Sequence, residues 1–163
     1  MVAVAVSQQA KAFQAPGDWL TVVLPRSADA CYQLFCDVKR VPEWLPVVAT
    51  SVVTQRDAAG RPKKVAFQAS LQRATIGYSC LYRYRPDERM VGWSTPARSS
   101  ILVRGMAQFQ PLAPASCLMT YALGLGVARD LPRFADPSFA SHASSAALAA
   151  FAAFARAEIV LSA

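Results

Sequence analysis

His142 is the one histidine in the 163-residue chain, so any imidazole chemistry must run through it. It stands nine residues before Phe151 in an alanine-rich stretch, about 180° around a helix at roughly 100° per residue. It therefore points away from the side that Leu148, Phe151 and Ala155 present. It reads as a solvent-side histidine, not a base. The carboxylates Asp37, Glu43, Asp57, Asp87, Glu88, Asp130 and Asp136 fall mostly at element ends and turns. None has the alternation that would turn it inward from a strand, so no buried acid/base pair is legible. Arg104 interrupts an apolar strand and could hold a ligand carboxylate or an oxyanion. Alternation sets it opposite Ile101, Val103, Ala107 and Phe109, hence outward, and Arg83 and Arg85 project the same way. No catalytic residue is assigned.

The four cysteines, Cys31, Cys36, Cys80 and Cys117, show neither a CxxC nor a metal-type spacing. The only histidine is remote from them in sequence, so no metal and no cofactor is expected. Buried free thiols are the default for a chain of this length without a secretory signal. "GLG" at 124–126 and the isolated Gly77 and Gly105 lack phosphate-loop spacing. They read as strand bends or close approaches.

What the residues do offer is a wall. Phe67, Tyr78, Cys80, Tyr82, Trp93, Phe109 and Tyr121 share the apolar side of alternating segments. With Trp44 and Phe151 they are the expected ligand-binding residues. Each tyrosine gives an apolar face and one hydrogen-bonding tip, which suits a planar or isoprenoid molecule with a few oxygens. The alternative is that these side chains simply fill a core.

The elements that must position this wall can be read in order. Residues 1–16 form a weakly patterned lead-in. "DWLTVVLP" (18–25) reads as a first strand that Pro25 ends. In "RSADACYQLFCDV" (26–38), Ser27 is a helix N-cap and Asp29 suits the first turn. Cys31, Leu34, Phe35 and Val38 follow at i, i+3, i+4 and i+7. Pro42 and Pro46 bracket one helical turn that carries Trp44 and Leu45, placed as the rim of a groove. Strands are expected at 47–57, 63–72, 75–86, 89–95, 100–112 and 116–127, with turn chemistry between them, as in an antiparallel meander. A turn at Arg73-Ala74 would set Leu71 against Ile76, Ala69 against Tyr78 and Phe67 against Cys80. A turn at Asp87-Glu88 would set Tyr82 against Trp93 and Tyr84 against Val91. Both keep the apolar faces on one side. Asp136 as N-cap and Pro137 open a long helix over 136–161. Arg156 and Glu158 interrupt its apolar run, so it reads as a buried or groove-lying helix rather than a membrane span.

Length fits a single domain, 1–163, with a substantial core. The apolar share of 54% owes much to alanine near the C-terminus. Seventeen Lys and Arg against ten Asp and Glu give a net charge of +7. These cations are scattered, with the densest groups in "GRPKK" and "YRYRPDER". No helix carries the basic cluster with interleaved aromatics of a nucleic-acid reader, so no nucleic-acid partner is expected. The basic surface leaves peripheral contact with an anionic membrane or an acidic protein open. No apolar run reaches transmembrane length and no signal peptide is legible, so the expected location is cytoplasmic.

The order of elements, with "SADACYQLFCDVKRVPEWLPVV", resembles the START-like superfamily, also called SRPBCC. Within it the segment is similar to the polyketide cyclase/dehydrase and lipid-transport group and to coenzyme Q-binding proteins. The matching positions are Pro25, Ser27, Ala28, Phe35, Asp37, Val38, Pro42, Trp44, Leu45, Pro46, Val47 and Val53. Gly92-Trp93 and Phe109-Gln110-Pro111 fit as well, and the resemblance spans roughly residues 19–160. It implies an α+β helix-grip fold: a seven-stranded antiparallel sheet curved around a long C-terminal helix, with two short helices after the first strand. It further implies a hydrophobic cavity that binds or transports a lipid, an isoprenoid or quinone, or a polyketide-like molecule. The alternative is a polyketide-type aromatase/cyclase, whose proton transfers would fall to Tyr78, Tyr82 and Tyr121, joined by Arg104 if it turned inward. A third reading is a module whose basic face docks a partner. Oligomeric state is not legible.

Overall fold

Alternating apolar runs become strands because successive side chains of a strand point to opposite faces. The computed structural model describes residues 19–71, 74–127 and 137–161. In chain order the elements are β1 (Leu20–Leu24), α1 (Ala28–Cys36), a 3-10 turn (Val38–Arg40), α2 (Val41–Trp44), β2 (Val48–Arg56), β3 (Pro62–Leu71) and β4 (Ala74–Arg85). A second 3-10 turn (Pro86–Glu88), β5 (Met90–Ser94), β6 (Ile101–Ala113), β7 (Ser116–Val127) and α3 (Pro137–Leu161) complete it. The strands form one antiparallel sheet in the order β1-β7-β6-β5-β4-β3-β2. β1 and β2 lie at opposite edges, so α1 and α2 must cross between them, under the concave face. The fold is the expected helix grip. The lead-in 1–16, Arg73, Asp130 and the Asp136 cap lie outside the described residues.

Local signals account for the helices. Ser27 Oγ accepts from the Ala30 N–H at 3.2 Å, which satisfies one orphan donor of α1. Ala28, Cys31, Leu34 and Phe35 are its buried side. Pro42 stands in the first turn of α2, where its missing N–H costs nothing. Along α3 the buried side is Leu148, Phe151, Ala152 and Ala155, while His142 and Arg156 are exposed.

The two hairpin readings fare differently. Tyr82 pairs with Trp93 and Tyr84 with Val91, as expected, around the Pro86–Glu88 turn and Arg89. Arg89 takes a left-handed φ of 47°, the role a glycine would more easily fill. The β3–β4 register is displaced by two residues. Ala69 pairs with Ile76, Phe67 with Tyr78 and Val65 with Cys80, and Leu71–Ala74 closes the ladder. Both registers keep the same faces inward, which is why alternation could not separate them. The β2–β3 turn closes at Gly60 with φ 80°, where Asp57 accepts from the Ala59 and Arg61 N–H groups, both at 2.9 Å. No helix among the described residues is long and apolar enough to cross a membrane.

Candidate functional site

Between the concave face and α3 lies a cavity of about 470 Å³. Its sheet wall comes from the inward positions of β3 to β7: Phe67 and Ala69, Ile76, Tyr78, Cys80 and Tyr82, Trp93, Ile101 and Val103, and Tyr121, Leu123 and Leu125. Its helix wall is Ala143, Ala146, Ala147 and Ala150, spaced i, i+3, i+4 and i+7 on one side of α3. Phe35, Val41 and Trp44 close the far end, and Leu45, Pro46, Val47 and Val48 line the side beside α2. Pro46, Ser100 and Ala146 line it and are exposed, so the mouth lies among them.

Trp44, Phe67, Tyr78, Cys80, Tyr82, Trp93 and Tyr121 thus stand in the wall. Phe109 and Phe151, placed in that wall by their periodicity, do not line the cavity. They belong to a packed aromatic cluster centred on Phe35. Phe35 meets Phe151 at 5.0 Å, Phe109 at 5.8 Å, Trp44 at 5.7 Å and Trp93 at 5.5 Å between ring centroids. Inward facing was right for both residues, but periodicity does not say at which end of a groove a ring lies. Trp44 stands at the boundary. It touches Phe151 at 5.2 Å and is 7% exposed, so it is core as much as wall. The rim falls to Leu45, Pro46 and Val47.

The sequence reading passed over the alanine side of α3, Ile76, Ile101, Val103, Leu123 and Leu125. The four alanines were a usable signal, since a helix stripe of small residues facing a curved sheet cannot reach across the gap.

The rim is tied down on three sides. Ser51 Oγ donates to the Val38 carbonyl at 2.6 Å. The Ser70 N–H donates to Val47 O at 2.8 Å, and the Val48 N–H to Leu45 O at 2.9 Å. Arg40 donates to Glu158 of α3 at 2.7 and 3.2 Å and to Glu43 at 2.8 and 3.0 Å. Its guanidinium also lies 4.8 Å from the centre of the Phe154 ring. The bonds from Arg40 hold the Glu43 and Glu158 carboxyls below their usual range. Within the wall, Trp93 lies across β6 at its register partner Gly105. Any Cβ there would collide with the indole ring, so Gly105 is what lets Trp93 lie flat.

Chemically the wall is neutral. Burial pushes the Tyr78, Tyr82 and Tyr121 hydroxyls above their ordinary range and the Cys80 thiol up to about 12. They stay protonated, so they act as donors rather than bases, and Cys80 is no thiolate nucleophile. None of these three hydroxyls has a hydrogen-bond partner among the described residues. Tyr84, outside the wall, is satisfied by the Pro62 carbonyl at 2.7 Å. Among the described residues no carboxylate, histidine or arginine lines the cavity, and Arg104 is exposed as alternation required. All four cysteines are free, and no cluster of metal-ligating residues occurs among the described residues.

No protein-family model and no curated protein matches the chain in sequence. Solved structures do match its backbone. A START superfamily protein from Mycobacterium smegmatis superposes with a TM-score of 0.74 at 18% identity, over 85% of this chain and 96% of that one. The Zhui aromatase/cyclase from Streptomyces sp. R1128 gives 0.70 at 14% identity, over 87% and 94%. A norcoclaurine synthase from Thalictrum flavum gives 0.62 at 11% identity, over 86% and 94%. Likeness at such low identity belongs to the backbone and not to the chemistry: the chain has the START-like, helix-grip fold.

Proposed function

We propose that the protein binds a small hydrophobic molecule carrying a few oxygens in the cavity between sheet and α3. The observation that carries this reading is an apolar cavity whose three tyrosine hydroxyls lack partners among the described residues. At about 470 Å³ it falls within the roughly 300–1,000 Å³ common for small-molecule sites. Burying apolar ligand surface drives binding at about 25 cal/mol per Å². Tyr78, Tyr82 and Tyr121 then orient the ligand by donating to its oxygens. The near-parallel stack of Tyr82 and Trp93, 6.2 Å apart at 24°, favours a planar or polyunsaturated body. Quinones and other isoprenoids, lipids, and polyketide-like ring systems share this chemistry.

A second reading is an aromatase/cyclase acting in the same cavity, favoured by those three inward tyrosines. Their raised pKa limits them to donating protons or hydrogen bonds, and no wall residue among the described ones supplies a base. Simple binding or carriage therefore fits this wall better. Titration of the purified protein with a long-chain fatty acid, an isoprenoid quinone and an aromatic polyphenol, read by Trp44 and Trp93 fluorescence, tests the reading. Saturable one-to-one quenching by one class is expected. Linear, unsaturable responses to all three would overturn it.

A further inference from the structure

The cavity wall changes character along the strands. Beside the exposed Ser100 at the mouth it is aliphatic: Ile76 on β4, Ile101 on β6 and Leu125 on β7 line it and are half-exposed. The inward positions then run from Ile76 to Tyr82 on β4 and from Leu125 to Tyr121 on β7. At roughly 3.3 Å per residue these are steps of about 20 Å and about 13 Å. At that inner end Trp93 lies 6.2 Å from Tyr82 and 5.9 Å from Tyr121 between ring centroids. Trp93 also meets Phe35 of the filled end at 5.5 Å. The aromatic, hydroxyl-bearing part of the wall is therefore the part furthest from solvent.

Two hydroxyls face this inner end, and neither has a partner among the described residues. Tyr121 is only 3% exposed, so its hydroxyl has little else but the cavity to meet. Among the described lining residues no carboxylate or side-chain amide stands by to accept from Tyr82 or Tyr121. An unmet donor in an apolar site is costly, so whatever fills the inner end must bring acceptor oxygens.

Depth then sets the charge of those oxygens. A carboxylate at the inner end would lose its water, and no cation among the described lining residues would replace it. A fatty acid could keep its carboxylate in water at the mouth, but its tail would meet the two inner donors with methylenes alone. Carbonyl oxygens on an uncharged ring satisfy the donors, and the ring lies against Tyr82 and Trp93. An aliphatic remainder matches Ile76, Ile101 and Leu125.

We propose that the cavity takes an uncharged ring compound bound ring first. Its carbonyl oxygens accept from Tyr82 and Tyr121, any aliphatic chain points to the mouth, and free fatty-acid anions are excluded. This rests on the ligand-binding reading above and narrows it to one class.

Equilibrium dialysis with three probes of matched shape tests it: acetylnaphthalene, its hydrocarbon isostere isopropylnaphthalene, and naphthoate at neutral pH. Each is measured on the parent and on Tyr82→Phe/Tyr121→Phe. The double variant should weaken the ketone at least about tenfold and the hydrocarbon less than about twofold. The parent should bind naphthoate at least about tenfold more weakly than the ketone. A smaller ketone loss, a loss shared by the hydrocarbon, or naphthoate binding within about tenfold of the ketone would overturn the assignment and leave the cavity a binding site. If none of the three binds the parent, the ligand-binding reading falls and this one with it. If circular dichroism shows the double variant unfolded, Tyr121→Phe alone decides. A loss of about threefold or more confined to the ketone supports the assignment, and a smaller or shared loss overturns it.

Discussion

Helix α3 passes two different interiors. At Phe151 the space between helix and sheet is filled by Phe35, Trp44 and Phe109. Over the two turns before it, on the side of Ala143, Ala146, Ala147 and Ala150, it is hollow. The backbone is one continuous helix through both. Side-chain size along a single helix therefore decides where the protein is solid and where it is open. A phenyl ring bridges the gap to the sheet, and a lone Cβ does not. The filled end holds the fold together, and the hollow end is where we propose that a ligand binds.

The sharpest way to break this contrast is to truncate one residue at each end. Phe35→Ala removes the hub of the filled end and is expected to cost about 3–5 kcal/mol in denaturant unfolding. Ile76→Ala, at the hollow end and half-exposed, should cost about 1 kcal/mol or less. Equal losses at the two positions would erase the distinction. Next in size is filling the hollow. Ala146→Phe should lower ligand affinity at least about tenfold in the fluorescence titration, while stability moves by under about 1 kcal/mol.

Much of this architecture was legible in the sequence, for identifiable reasons. Strict alternation in Ile76–Tyr84 assigned the inward face, and the Tyr82–Trp93 pairing followed from it. The same alternation could not choose between two β3–β4 registers that differ by two residues, because both bury the same side. Ser27, Asp29 and the apolar stripe after them specified α1. Phe109 and Phe151 were recognised as inward, yet their place along the groove depends on how α1 inserts Phe35 between them, a long-range contact that no local pattern encodes. The alanine wall was missed for a related reason. Small residues on a helix equally suit close packing and an open space, and only the curvature of the opposing sheet separates the two.

Smaller effects sharpen the boundary between the regions. Tyr82→Phe and Tyr121→Phe should each weaken binding of an oxygen-bearing ligand by about 0.5–1.5 kcal/mol. Unfolding midpoints should hardly move, since neither hydroxyl has a partner to lose among the described residues. Trp44 tests the border itself. Its indole N–H is buried without a hydrogen-bond partner. Trp44→Phe keeps an aromatic ring and removes that donor, so stability should be unchanged or up to about 1 kcal/mol higher. The smallest effect concerns the rim. The Glu43 and Glu158 carboxyls are held below their usual range by Arg40. Their contribution is present above the ordinary carboxylate pKa of about 4.3 and is lost as pH falls through their lower folded values. Thermal melts of Arg40→Gln and the parent should differ slightly at neutral pH and converge in acid.

The central claim is that the hollow end holds a ligand and the filled end does not. Native mass spectrometry of the gently purified protein beside Ala146→Phe tests it most directly. The account predicts a noncovalent small-molecule adduct on the parent, shed on collisional activation and absent from the folded variant. A bare polypeptide mass for both proteins, unchanged after incubation with each hydrophobic ligand class, would contradict it.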